Sequence, residues 1–229
     1  MSVPPRLPVP AVTPRLVYLH GFASSPDSSK GRFFADRCAE HGVPVDRPDL
    51  NAPDFSRITV TRMVGQVEGL LAGLGRARVV LAGSSLGGFV AWHVAARAER
   101  AGRPVDRLVL IAPALDFDTR LPGSLDAGTL ARWRECGWRE VTHYAEGRTV
   151  PLHYGIVEDA RAYDARAARV SAPVLVFQGR RDEAVDAGMV ARFAAGRPNV
   201  ELHLLDDDHQ LHASLAWMWE QMVRFMGLT

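Results

Sequence analysis

Cysteine and lysine are scarce in this chain, and the scarcity of cysteine excludes two classes of protein. The 229 residues include two cysteines, Cys38 and Cys136. Two are too few for a disulfide scaffold or a cysteine zinc site, so we expect free thiols, as in a cytoplasmic protein. Lys30 is the only lysine, and arginine supplies the rest of the positive charge.

A large net charge and long apolar runs are also missing. Lys and Arg total 27 against 26 for Asp and Glu, a formal net charge of +1. This balance gives no strong field to attract nucleic acid or an anionic membrane. No apolar run reaches the roughly 18 residues of a membrane span, and the first 14 residues lack the apolar segment of a signal peptide. We therefore expect a cytoplasmic location, with neither nucleic acid nor membrane as a partner.

The composition that remains is typical of a globular domain, with 47% apolar and 23% charged residues. Residues 1–14 contain five prolines and are predicted to form an extended tail or an added edge segment. In residues 15–229, short apolar runs alternate with segments of helical periodicity. This alternation predicts one α/β domain, with a mostly parallel sheet covered by helices on both faces.

The alternation stops between residues 115 and 165, a stretch rich in Trp, His, Tyr and Gly. Long inserts in compact domains are often functional, so this segment, called the insertion below, is predicted to be a lid over the site. Trp133, Trp138 and Tyr144 are the expected substrate contacts, with Tyr154 as a further candidate. The alternative for each ring is that it anchors the insertion to the body of the domain.

The strongest motif is the pentapeptide at residues 83–87, Gly-Ser-Ser-Leu-Gly. It follows the apolar strand RVVLAG directly and opens a helix, the strand–turn–helix setting of a nucleophile elbow. The glycine spacing selects Ser85 as the nucleophile and leaves Ser84 as a second hydroxyl at the substrate site. The alternative is a glycine-rich turn that binds phosphate or nothing.

A second signal, His20-Gly21-Phe22, follows the first predicted strand. Gly21 allows the turn to direct a backbone N–H at the site, where it could hold an oxyanion together with the N–H of Leu86. The Leu86 amide opens a helix, whose dipole also favours negative charge.

Two further loops supply a carboxylate and an imidazole. Asp182 follows the strand PVLVFQG and His209 follows the last strand, so Ser85, Asp182 and His209 occur in the chain order of α/β-hydrolases. Read alone, Asp182 could be a helix cap. His212 is a rival base, and residues 206–208, three aspartates, are interpreted as a solvated turn and not as a cation site.

The opening YLHGFASSPDSSKG and the elbow GSSLGG resemble the small YqiA-like esterases, a bacterial branch of the α/β-hydrolases, and the likeness runs from residue 15 to about residue 226. The resemblance implies Ser85 as nucleophile, Asp182 as acid, His209 as base, and oxyanion donors from the amides of Phe22 and Leu86. It also implies that the substrates are short acyl esters, which are small molecules. Acyl transfer by these residues is expected to need neither a metal nor an organic cofactor.

The chain departs from this family in two places, and other functions stay open. The hairpin that precedes the first parallel strand in larger members is missing or reduced to the tail, and a run of aspartates precedes His209 where a glycine is common. The same residues could cleave a thioester, an amide or a carbon–carbon bond, or the chain could be a non-catalytic binding protein of this fold. The sequence does not indicate an oligomeric state.

Overall fold

A computed structural model describes residues 13–228, so most of the predicted tail, residues 1–12, lies outside the described residues. Six parallel strands form the main sheet in the order β2-β1-β3-β4-β7-β8, and β5 and β6 form a separate antiparallel pair. The strands are β1 Arg15–Leu19, β2 Val45–Asp46, β3 Val79–Ser84, β4 Arg107–Ile111, β5 Trp138–His143, β6 Arg148–His153, β7 Val174–Gly179 and β8 Val200–Leu205.

Helices connect the parallel strands. They are α1 Ser29–Glu40, α2 Val60–Gly73, α3 Leu86–Arg100, α4 Phe117–Gly123, α5 Ala127–Cys136, α6 Gly155–Ala160, α7 Ala187–Ala195 and α8 Leu215–Met226. A short 3₁₀ turn, Phe55–Arg57, precedes α2. Among the described residues, no helix has both the length and the apolar character that crossing a membrane requires.

Alternating side chains of the central strands build two cores. In β1, Leu16 and Tyr18 pack with residues of α1 and α8, whereas Val17 and Leu19 pack with residues of α2, α3 and α7. The central strands β3 and β7 are buried along their whole length, because helices cover both faces. The predicted α/β fold with a sheet covered on both sides is therefore confirmed.

The insertion contains secondary structure that the sequence did not predict: α4, α5, the β5–β6 hairpin and α6. Trp133, Leu152 and Ile156 of the insertion are buried in the same core as α2 and α3. The indole N–H of Trp92, on α3, donates to the carbonyl of Ala165 at 3.0 Å. The insertion is thus packed into the domain, and its hairpin turn, residues 144–147, contacts the loop after β1 through Ala145 N–H and Ala23 O.

Candidate active site

Four loops meet at the carboxyl edge of the sheet, because β1, β3, β7 and β8 are parallel and end on the same side. They carry Gly21, Ser85, Asp182 and His209, respectively. Ser85 and His209 both line a cavity of about 800 Å³. Asp182 lies behind His209, and its side chain is fully buried.

Ser85 occupies a strained backbone conformation between β3 and α3. Its φ is 53° and its ψ is −117°, a positive φ that residues other than glycine rarely adopt. The surrounding backbone holds it there: Ser85 N–H donates to Ile111 O at 2.9 Å, and its carbonyl accepts from Gly88 N–H at 2.9 Å and Ala114 N–H at 3.1 Å. Strain maintained in this way is typical of functional turns.

The two glycines of the motif allow close backbone approach around this turn. A Cβ on Gly83 would lie 2.2 Å from Gly87 O, and a Cβ on Gly87 would lie 2.3 Å from Leu19 O. Side chains at either position would collide with backbone atoms that cannot move aside. The glycine spacing therefore has the steric basis that the sequence predicted.

His209 and Asp182 form a hydrogen-bonded pair, with 2.8 Å between His209 Nδ1 and Asp182 Oδ2. Because a carboxylate only accepts, Nδ1 carries the proton and Nε2 of a neutral ring is free to accept one. This tautomer is the one a general base needs.

Three more donors fix the Asp182 carboxylate. Oδ1 accepts from Ala184 N–H and Val185 N–H, both at 2.8 Å, and Oδ2 accepts from Gln178 Nε2 at 2.8 Å. Burial by itself would raise the pKa of Asp182, but the hydrogen bonds from His209, Val185 and Gln178 together outweigh it and lower that pKa. Asp182 is therefore held as a carboxylate.

Gln178 is a part of this arrangement that sequence reasoning missed. It is fully buried in β7, and the signal that could have revealed it is a polar residue near the end of an otherwise apolar strand, PVLVFQG. Buried polar side chains need partners, and Asp182 is the partner here.

His20 fixes the loop after β1. Leu50 N–H donates to its Nε2 at 3.0 Å, so in the neutral ring the proton is on Nδ1, which donates to Gly21 O at 2.9 Å. Burial lowers the pKa of His20 and favours this neutral form. The ring thereby holds the Gly21–Phe22 peptide in one orientation.

The amides of Phe22 and Leu86 are available as hydrogen-bond donors. Within residues 13–228, neither N–H donates to a protein acceptor. The Leu86 amide opens the 15-residue helix α3, where free N–H groups and the helix dipole favour an anion. Phe22 lines the cavity, and Leu86 directly follows Ser85 in the chain.

The cavity is lined by six of the residues that the sequence proposed: Gly21, Phe22, Ser84, Ser85, Tyr144 and His209. Tyr144 is 76% exposed, on the turn of the β5–β6 hairpin. Burial raises the pKa of Tyr18, another lining residue, to about 12, so its phenol stays protonated near Ser84. Ser24, Ser29 and Lys30 also line the cavity, so its wall mixes polar groups with apolar surface.

The substrate contact expected of Trp133 is wrong. The side chain is 1% exposed and its indole N–H donates to Leu152 O at 3.0 Å, so it packs the insertion against the core and has no surface to offer a ligand. Tyr154 contacts it edge-on and is also buried. Trp138 lies beside Arg57 and His153, and it is not among the residues that line the cavity.

The aspartate run before His209 is occupied by structural contacts. Asp206 pairs with Arg181, Asp207 accepts from the amide and hydroxyl of Ser214, and Asp208 accepts from Gln210 N–H at 2.8 Å. The ring of His212 is hydrogen-bonded through Nε2 to Ser29 Oγ, at 2.8 Å. In residues 13–228, no three His, Cys, Asp or Glu side chains are grouped so as to hold a metal ion.

Comparison with protein families gives one match. The model of the uncharacterised protein family UPF0227 matches residues 15–227, nearly the whole chain. No curated protein sequence matches significantly.

Solved structures give many matches. A putative hydrolase from Agrobacterium vitis is 25% identical, with a TM-score of 0.78, and the alignment covers 93% of this chain and 88% of that one. The mouse alpha/beta hydrolase domain-containing protein 10 is 21% identical, with a TM-score of 0.76 and coverage of 94% and 90%. A monoacylglycerol lipase from Paleococcus ferrophilus is 16% identical, with a TM-score of 0.75 and coverage of 95% and 96%. The first neighbour supports a hydrolase, and the other two show the shared fold.

Proposed function

The chain belongs to the UPF0227 family and has the α/β-hydrolase fold, and from this premise we propose that it is a serine hydrolase that cleaves short-chain carboxylic esters. The observation that carries the proposal is the His209–Asp182 hydrogen bond beside a cavity that Ser85 also lines. Fold alone would not be sufficient, since hydrolase folds also host other functions.

The proposed reaction is a two-step acyl transfer. Ser85 Oγ attacks the ester carbonyl carbon while His209 Nε2 takes the hydroxyl proton. Asp182 keeps the imidazole in the required tautomer and stabilises the imidazolium. The carbonyl oxygen becomes an oxyanion, which accepts hydrogen bonds from the Phe22 and Leu86 amides.

The leaving alcohol then takes the proton from His209, and the acyl group remains on Ser85 Oγ. A water molecule, deprotonated by His209, attacks this acyl-enzyme, and collapse of the second oxyanion releases the acid and restores the Ser85 hydroxyl. The protein's own groups supply every proton transfer in this sequence.

A small, water-soluble ester fits the cavity better than a long lipid. Its wall places Ser24, Ser29 and Lys30 among apolar surface, so a long acyl chain would bury some of its methylenes against polar groups. Those methylenes would gain less than the usual 0.8 kcal/mol or so. From the resemblance to small esterases we expect preference for acyl chains of about two to eight carbons, with ordinary saturation kinetics. A panel of nitrophenyl esters from acetate to palmitate measures this. A maximum at palmitate, or activation by an emulsion, would contradict it.

Covalent labelling tests the central claim. A fluorophosphonate probe followed by peptide mass spectrometry should place one adduct on Ser85, and Ser85→Ala should remove it and abolish turnover. Ser84→Ala is the matched control, because it removes the adjacent hydroxyl and leaves the elbow residue intact. An adduct on Ser84, Ser24 or Ser25 would overturn the assignment, and absence of any adduct would favour a binding protein of this fold.

A further inference from the structure

Lys30 is a buried cation on the wall of the candidate site. It is 6% exposed, belongs to the first turn of α1 and lines the same cavity as Ser85 and His209. Its ammonium donates to the carbonyl oxygen of Gln210 at 2.7 Å and to the Gln210 side-chain oxygen at 3.3 Å. A buried charge is expensive without compensation, so the groups around it need to be identified.

The hydrogen bond from Lys30 restrains the residue next to His209. Gln210 follows His209 in the chain, so fixing its carbonyl limits where the imidazole can move. A second contact joins the same two segments, since Ser29 Oγ and His212 Nε2 are 2.8 Å apart. The first turn of α1 thus holds the loop after β8 through one charged and one neutral contact.

The charges of three carboxylates act on the Lys30 ammonium: Asp208, Asp207 and Asp182. Burial lowers the pKa of Lys30 to about 8, and all three carboxylates act in the opposite direction and favour the ammonium. Asp182 lies 152 residues from Lys30 in the sequence and is hydrogen-bonded to His209. Its charge also acts on the Lys30 ammonium, so one carboxylate influences both groups.

Other charged groups of this cavity are more exposed. Arg181 lies on the loop after β7 and pairs with Asp206, and Glu183 is exposed at the cavity rim. Lys30 is therefore the buried positive charge set against the carboxylates next to His209. Loss of this positive charge would leave those carboxylates less compensated in this part of the site.

We propose that Lys30 is a positioning residue of this site, which holds the His209 loop through the Gln210 carbonyl and offsets the carboxylates around the imidazole. The inference rests on the proposed function, because it assigns Lys30 a role in activating His209 as a base.

The pH profile of kcat/KM on nitrophenyl acetate tests the role of the charge. In Lys30→Met, the acidic limb of the profile should shift to higher pH by about half a pH unit to one pH unit. This is the shift expected for loss of one nearby positive charge at an effective dielectric constant of about 20 to 40. In Lys30→Arg, which keeps the charge, the limb should stay close to the wild-type position. Ser29→Ala is the matched control, since it loosens the same loop without changing any charge and should leave the limb in place.

An unchanged acidic limb in Lys30→Met, or the same shift in Ser29→Ala, would overturn the electrostatic part of the proposal. Thermal melting and the fraction of sites labelled by the fluorophosphonate identify a variant that has simply failed to fold. A looser loop should lower kcat more than it changes KM. We expect kcat of Lys30→Met to fall about tenfold, which is within the usual contribution of general base catalysis.

A direct measurement on the unmodified protein makes the test independent of folding and of activity. Because Lys30 is the only lysine, ¹³Cε-labelled lysine gives a single resonance that needs no assignment. It should titrate near 8, with a second inflection where His209 titrates, and His209→Gln should remove that inflection. A single titration near the ordinary value of 10.5 would overturn the proposal. If the resonance behaves as expected but no probe labels Ser85, the proposed function fails and the placement of Lys30 stands.

Discussion

Replacing Asp182 with asparagine perturbs four hydrogen bonds at once, and the geometry determines which way the new amide turns. Two backbone donors, Ala184 N–H and Val185 N–H, point at Oδ1, each at 2.8 Å. The asparagine oxygen must occupy this position, because its NH₂ group there would face two donors. The NH₂ group therefore takes the place of Oδ2, opposite His209 Nδ1 and the Gln178 amide.

The expected consequence is a histidine in the wrong tautomer. A ring that faces an NH₂ group accepts at Nδ1 and carries its proton on Nε2, so it cannot take a proton from Ser85. The same exchange in trypsin lowers kcat about 10⁴-fold. We expect a loss of about 10³- to 10⁴-fold in kcat/KM here, which corresponds to about 4 to 5.5 kcal/mol of transition-state stabilisation.

The fold should survive with reduced stability. The NH₂ group of the introduced amide would face the NH₂ group of Gln178, and this contact can be relieved if the Gln178 amide turns over, since its Oε1 is buried without a hydrogen-bond partner among the described residues. Turning it would sacrifice the weaker bonds from Gln178 Nε2 to Gly179 O and Val185 O, at 3.2 and 3.3 Å. We expect a net loss of about 1 to 3 kcal/mol in the free energy of unfolding.

Asp186→Asn is the matched control. Asp186 caps α7 through Gly188 N–H and Met189 N–H and makes no contact with His209 among its described partners. Its variant should keep activity within about twofold and lose at most about 1 kcal/mol of stability. The assay is hydrolysis of nitrophenyl acetate together with urea unfolding. If Asp182→Asn stays within tenfold of wild type while Asp208→Asn is inactive, the reasoning is refuted.

Three further outcomes follow from the same geometry. Ser85→Gly should abolish labelling and yet raise the free energy of unfolding by about 1 kcal/mol, because the positive φ of Ser85 is strained; urea unfolding measures this, and a loss of stability would count against the strain. Trp133→Phe should lower the free energy of unfolding by about 1 to 2 kcal/mol, because the hydrogen bond to Leu152 O is lost. KM for nitrophenyl acetate should not change, and a raised KM would indicate that Trp133 contacts the substrate after all. The lowered pKa of Asp182 contributes stability that is complete above the unfolded value of about 3.9 and is lost as the pH falls through the lower folded value. The difference in unfolding free energy between wild type and Asp182→Asn should therefore shrink as the pH falls below about 4.

The strands and the positions at their ends could be predicted because they depend on local sequence. RVVLAG and PVLVFQG are apolar throughout, as strands buried on both faces are, and they were predicted within one residue of β3 and β7. Once these strands are parallel, the residues that follow them must share one edge of the sheet. The juxtaposition of Ser85, Asp182 and His209 needed no further information.

The insertion could not be predicted in this way, because its elements are short and weakly patterned. β5 mostly alternates between exposed and partly buried residues, β6 has the buried Val150 and Leu152 among exposed ones, and the two strands pair only with each other. Trp133 was expected at the substrate site, yet its burial depends on Leu152, which is 19 residues further along the chain. The sequence shows that Lys30 is the only lysine, but it gives no sign of the contact with Gln210, which is 180 positions away.

The way the insertion is embedded limits how this scaffold can be re-engineered. Trp133, Leu152 and Ile156 complete the core that α2 and α3 begin, so the segment is not a detachable module that can be trimmed to a linker or exchanged whole with that of a relative. A truncated chain would expose an unfilled apolar face and would be prone to aggregation. Directed evolution of a new substrate range is better confined to residues 144–146 of the exposed hairpin turn, where Tyr144 borders the cavity and the side chains lie outside the packed core. Gly147 is best kept, because its positive φ disfavours any side chain.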